Sequence, residues 1–228
     1  MKSITKLAVV GLLAIAAIAA HAQGFGGGGQ GRRGGFGRMG GMNSNFILLG
    51  REDVQEDLAL TSDQKSAYKD AQDNQQEKMR AQFEELRNSG TRPDPTAMRE
   101  TFTKMMKEAD AEVAKILKPE QLKRLKEISI QLDGNKAALK EDIQKDLAIT
   151  DAQKAQLKKL QDAAQAANTS VMEKARNREI QWTEVQDITK KNDKALNDEI
   201  GKVLTAAQKT KLTEMSGKKF VEKEEEKG

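Results

Sequence analysis

The 228 residues contain no cysteine and a single histidine, His21. Disulfides, thiol nucleophiles and cysteine-ligated zinc are therefore excluded. If the first residues are removed as a leader, the remaining chain has no histidine either. It then lacks the side chain that most often serves as general base near neutral pH. Aromatic residues make up 4% of the chain and prolines number three. No run of apolar residues reaches the roughly 17–25 that a spanning helix needs. Serine–lysine or paired-carboxylate chemistry remains open in principle, but no motif points to either. The expectation is a protein that is not an enzyme and carries no cofactor and no metal. The acidic tail at 222–226 is interrupted by lysine and makes a poor calcium cage.

The N-terminus "MKSITKLAVVGLLAIAAIAAHAQG" has Lys2 and Lys6, then an apolar run over 7–20 and a small-x-small triplet at Ala20-His21-Ala22. That layout predicts a cleavable signal peptide over 1–22 and an exported protein, periplasmic or secreted, with no transmembrane anchor after cleavage. Residues 23–46 form a Gly/Arg-rich linker; 11 of the 18 glycines lie between Gly24 and Gly41. Its "RRGG" resembles an RNA-binding arginine–glycine box, and Met39 and Met42 have the spacing of soft-metal ligands. A plain spacer accounts for both. Five of the 39 basic residues precede Arg51 and none of the 35 acidic ones does, so the remainder carries 34 against 35. A body of net charge −1 has no basic footprint for nucleic acid.

From about Phe46 the pattern is helical. Met98, Phe102, Met105, Met106, Ala109, Val113, Ile116 and Leu117 step by three or four, or fall side by side, and so form one apolar stripe. Leu157, Leu160, Ala164, Ala167, Val171 and Ala175 form a second. Trp182, Val185, Ile188, Leu196, Ile200 and Val203 form a third, with polar Asn192 in the gap. "NSGTRPDP" predicts a helix break with Asp94 as cap and Pro95 as first helical residue. "LDGNK" predicts a helix end with Gly134 at positive φ. "NREIQWTE" should also hold a turn, although it offers neither Gly nor Pro.

One short motif returns along the chain: "LALTSDQ" at 58–64, "LAITDAQ" at 147–153, and shorter forms at "VLTAAQ" and "ILKPEQ". Gln64 and Gln153 are 89 residues apart, and Gln121 and Gln208 are 87 apart. The near-constant offset predicts two copies of one unit, 47–133 and 134–220, followed by a charged tail over 221–228. Each copy reads as short helix, motif, long helix, loop, long helix, motif, short helix. Thr-x-x-Gln is a capping box: the hydroxyl accepts from the backbone N–H three residues on, and the amide reaches back. Thr61 pairs with Gln64, Thr150 with Gln153 and Thr205 with Gln208. Before Gln121 the cap position holds Lys118, which has no accepting oxygen. Leu60, Leu117, Ile149 and Leu204 then anchor each corner in the core. Each cap contributes about 0.5–2 kcal/mol.

Paired Leu-Thr-x-x-Gln motifs bracketing a long helical hairpin behind a leader resemble the LTxxQ family typified by Spy and CpxP. The resemblance covers about residues 47–217. It implies an all-α fold of two tandem helical-hairpin units of long antiparallel helices flanked by short ones. It also implies a periplasmic stress protein: an ATP-independent chaperone for unfolded polypeptides, or an accessory regulator of a membrane sensor. Family members form thin, curved dimers, so the two halves here are expected to pack as an intrachain pseudo-dimer, or the chain to form a homodimer. Zinc-responsive relatives use histidines that this chain lacks beyond its leader.

Overall fold

The computed structural model describes residues 44–88 and 95–223. The leader, the Gly/Arg segment up to residue 43, Asp94 and its loop, and residues 224–228 lie outside the described residues, as does the side chain of Met98. The described residues belong to one compact unit. They are all-α; among them there is no strand. In order the helices are α1 (Asn45–Leu49), α2 (Glu52–Asp57), α3 (Ser62–Asn88), α4 (Pro95–Ile116) and α5 (Pro119–Asp133). A 3₁₀ helix, Gly134–Leu139, leads into α6 (Glu141–Asp146), α7 (Asp151–Arg176), α8 (Trp182–Val203) and α9 (Ala206–Met215).

Two long hairpins, α3–α4 and α7–α8, form the bulk of the fold, and short helices plug the end where each hairpin starts and finishes. The first core gathers Leu48 and Leu49 of α1, Val54 of α2, Tyr68 of α3, Val113 of α4 and Leu125 and Ile128 of α5. The second gathers Ile130 of α5, Ala137 and Ala138 of the 3₁₀ turn, Ile143, Leu157, Ile200 and Leu212. A smaller cluster of Val171, Ala175 and Val185 lies near the far end of the second hairpin.

Buried positions and hydrogen bonds recur at the offsets seen in the sequence. Val54, Leu58 and Leu60 are buried, and so are Ile143, Leu147 and Ile149, which stand 89 residues on. Val113, Leu117 and Leu125 correspond in the same way to Ile200, Leu204 and Leu212 at 87. Gln55 Nε2 donates to Leu49 O at 2.8 Å, and Gln144 Nε2 to Ala138 O at 3.0 Å. Phe46 N–H donates to Asp110 Oδ1 at 2.8 Å, and Asn135 N–H to Asn197 Oδ1 at 2.9 Å.

The correspondence fails midway along the hairpins. Buried Met105 and half-buried Met79 of the first match Asn192 and Asn168 of the second. Those asparagines hydrogen-bond each other across the helices at 2.8 Å. This explains the polar residue in the third stripe, since an amide tolerated there needs a partner.

Two local expectations are met in ways the sequence does not show. Helix α5 ends at Asp133 with Gly134 at φ 57, as the sequence predicts. The chain continues at once into the 3₁₀ turn, because Asn135 N–H finds its acceptor on Asn197 of α8. The turn in "NREIQWTE" is made by Arg178 at φ 63. Its N–H donates to Ala175 O and that of Glu179 to Lys174 O, closing α7 as a glycine cap would.

Candidate functional site

The motif residues meet in pairs. Gln64 Oε1 accepts from Thr61 N–H at 3.1 Å, and Gln64 N–H donates to Thr61 Oγ1 at 3.2 Å. Thr150 with Gln153 and Thr205 with Gln208 repeat both bonds. At the remaining copy only the return half exists, from Lys118 N–H to Gln121 Oε1 at 2.9 Å. An ammonium cannot accept, so the forward half is missing.

Helix capping is only part of what these glutamines do. Antiparallel α3 and α4 return the end of the hairpin to its start, which sets Gln64 beside Gln121. Gln64 Nε2 donates to Gln121 Oε1 at 2.7 Å, and Gln121 Nε2 returns a bond to Gln64 Oε1 at 3.2 Å. Their second amide hydrogens go to helix ends, from Gln64 to Ile116 O (2.9 Å) and from Gln121 to Leu58 O (3.0 Å). The second hairpin repeats the figure. Gln153 and Gln208 exchange bonds of 2.7 and 3.1 Å. Gln153 also donates to Val203 O at 3.0 Å, and Gln208 to Leu147 O at 3.2 Å.

Each amide thus uses two acceptor and two donor positions, its whole capacity. Four helix termini are tied by two side chains in each clasp. Leu60, Leu117, Ile149 and Leu204 are buried beneath the clasps. The capping pattern singles out these eleven residues but carries no sign of the cross-pairing. Arms of similar length bring residues 61–64 near 117–121, but nothing in the sequence marks the two amides as partners.

Charged groups reinforce the same end of the fold. Arg124 of α5 forks onto Asp57 of α2 at 2.6 and 3.1 Å and reaches Glu127 at 3.0 Å. The guanidinium holds the Asp57 carboxyl below the usual carboxylate range. At the join between the two cores, Asp133 is almost wholly buried and pairs with Lys140 at 2.7 Å. Nearby Asp110 has its carboxyl pushed up by burial, against the pull of the Phe46 N–H and the Lys140 charge. Burial likewise raises the Tyr68 hydroxyl to about 12; it donates to Phe46 O at 2.8 Å inside the first core.

Among the described residues no group of acidic, histidine or cysteine side chains is arranged to hold a metal, and no helix is long and apolar enough to cross a membrane. A depression on α7 between Asp162 and Glu173 is lined by one helix alone and has no opposing wall. Among the described residues the large exposed apolar side chains are Trp182, 59% exposed at the start of α8, and Val221 near the C-terminus.

No family model matches the chain, no curated protein matches it, and no solved structure matches it.

Proposed function

We propose that this chain is an exported, non-enzymatic helical protein of the LTxxQ kind, built as two tandem units that pack as an intrachain pseudo-dimer. In this reading it binds unfolded polypeptides without ATP, as a chaperone or an envelope-stress accessory protein. One observation carries the reading. Both motif pairs close into the same saturated amide clasp, so the most repeated residues of the chain are consumed in fixing its shape. The working surface is then the set of helix faces that the clasps hold in place. These faces carry half-buried Met79, Phe102 and Met106 among charged residues. Flexible thioethers suit low-specificity contacts with many partners.

Purified mature protein is expected to suppress light scattering from a chemically unfolded client in the absence of ATP. Scattering unchanged at several-fold excess over client would sink the reading.

A second reading, a dedicated partner of a membrane sensor or envelope scaffold, is favoured by Trp182. Exposed tryptophan is uncommon on a surface without a partner and is enriched at binding hot spots. Capture of one stoichiometric membrane protein, lost in Trp182→Ala, would select it over the first. RNA binding through Arg32, Arg33 and Arg38 is a weaker third reading, removed if the mature chain shows no salt-dependent affinity for RNA.

A further inference from the structure

The last described residues leave α9 and cross to the other half of the molecule. Gly217, at φ 64, makes the reversal. A side chain there would be strained and would collide with the Glu127 carboxylate. The following segment then runs along α5 and reaches α2. Gln131 of α5 reads its backbone on both sides, accepting from Phe220 N–H at 2.8 Å and donating to Lys218 O at 2.7 Å and to Ser216 O. Arg124 donates to the same Lys218 carbonyl at 2.8 Å, and Asp53 of α2 accepts from Lys223 N–H at 3.2 Å. One side chain of the segment goes inward. Phe220 is buried within the first core cluster, with the Arg51 guanidinium 5.7 Å from its ring centre. Lys218, Lys219 and Val221 stay exposed.

This is how a peptide is held in a receptor. Main-chain groups are bound by fixed side chains without regard to sequence, and one aromatic anchor fills an apolar socket. Nothing in the seat requires that the bound chain be covalently joined to α9.

We propose that the seat formed by α2 and α5 is a binding site for non-helical polypeptide segments bearing an aromatic residue, and that the chain's own 216–223 segment occupies it in cis. Gln131, Arg124 and Asp53 bind the backbone, and the socket under Arg51 takes the ring. The strap holds its place through the high effective concentration of a short tether. A single anchor makes it displaceable by a client that presents an aromatic side chain at higher local concentration. The proposal deepens the client-binding reading and rests on it.

The test is binding of a fluorescently labelled peptide Ser-Gly-Lys-Lys-Phe-Val-Glu-Lys to the full mature chain, followed by anisotropy. Phe220→Ala empties the socket and is expected to raise affinity for the peptide at least about tenfold over the unsubstituted protein. The same peptide with alanine in place of phenylalanine should bind neither protein. Equal affinity for the two proteins, or binding indifferent to the peptide's phenylalanine, would overturn the proposal.

Should Phe220→Ala lose its native circular dichroism, the paired change Glu222→Lys with Lys223→Glu replaces it. It breaks the exposed ion pairs to Arg51 and Glu56 and leaves the core intact. That variant should gain affinity about threefold, and no gain would again overturn the proposal. A protein that suppresses client aggregation yet shows no peptide gain loses this site and keeps the broader function. A protein that binds the peptide through its phenylalanine but suppresses nothing keeps the site and loses the function.

Discussion

A side-chain carboxamide can accept twice and donate twice in one plane, and all four clasp glutamines do both. Glutamate in the same place would lose two donors, and asparagine is one methylene shorter. The capping threonines are exposed and act within one helix, whereas each glutamine acts between two. That distinction is measurable. Gln64→Leu and Gln121→Leu should each lower stability by about 1–3 kcal/mol in urea denaturation, because the partner amide and two carbonyl or N–H groups lose their bonds. The double substitution should cost less than the sum, by about 0.5–3 kcal/mol. Gln64→Leu combined with Gln208→Leu, from different clasps, should be additive within about 0.5 kcal/mol. Additivity in the first pair would mean the glutamines are independent caps and not a clasp.

Helices α2 and α6 end in the same unusual way. Ala59 at φ 48 and Ala148 at φ 49 sit where a left-handed residue closes the helix. Leu60 N–H reaches back to Gln55 O and Ala59 N–H to Glu56 O; Ile149 and Ala148 make the equivalent bonds. Glycine is the ordinary occupant, since a Cβ costs roughly 1–2 kcal/mol in that conformation. Ala59→Gly and Ala148→Gly should therefore each stabilise the fold by about 0.5–1 kcal/mol, part of the gain being offset by a more flexible unfolded chain. A fall in melting temperature would show that the alanine methyl makes a compensating contact. Alanine in place of the usual glycine hid two helix ends in the sequence, and arginine in that place hid which residue makes the turn in "NREIQWTE". The starts were legible from Thr61, Thr150, Thr205 and Pro95, because a cap depends on chemistry local to three or four residues. The ends at 59 and 148 were not, because the surrounding bonds, and no special residue, enforce the turn.

At the scale of the molecule, α5 ties the halves together. Leu125 and Ile128 enter the first core, and Ile130 on the same helix enters the second. The strap adds Phe220 from the far end of the chain to the first core. A division at residue 133 or 134 therefore marks corresponding sequence, while the packing runs across it. The two cores should unfold together. Leu125→Ala, which empties a fully buried position of the first, should cost about 2–5 kcal/mol. It should also shift the transition followed by Trp182 fluorescence, in the second hairpin, by as much as that followed by circular dichroism. A Trp182 transition left in place would mean that the halves are independent.

The sequence by itself determined the helical class, the offset of 89 and 87 residues and the starts of α3, α4 and α7. These follow from periodicity and capping, which act between residues a few positions apart. Tertiary structure alone decided that glutamines 55 or 57 residues apart bind each other, that Asn168 answers Asn192, and that Phe220 lies in the first core. Such pairings depend on which surfaces the hairpins bring together. An amide or a phenyl ring carries no mark in sequence of the distant group that will satisfy it.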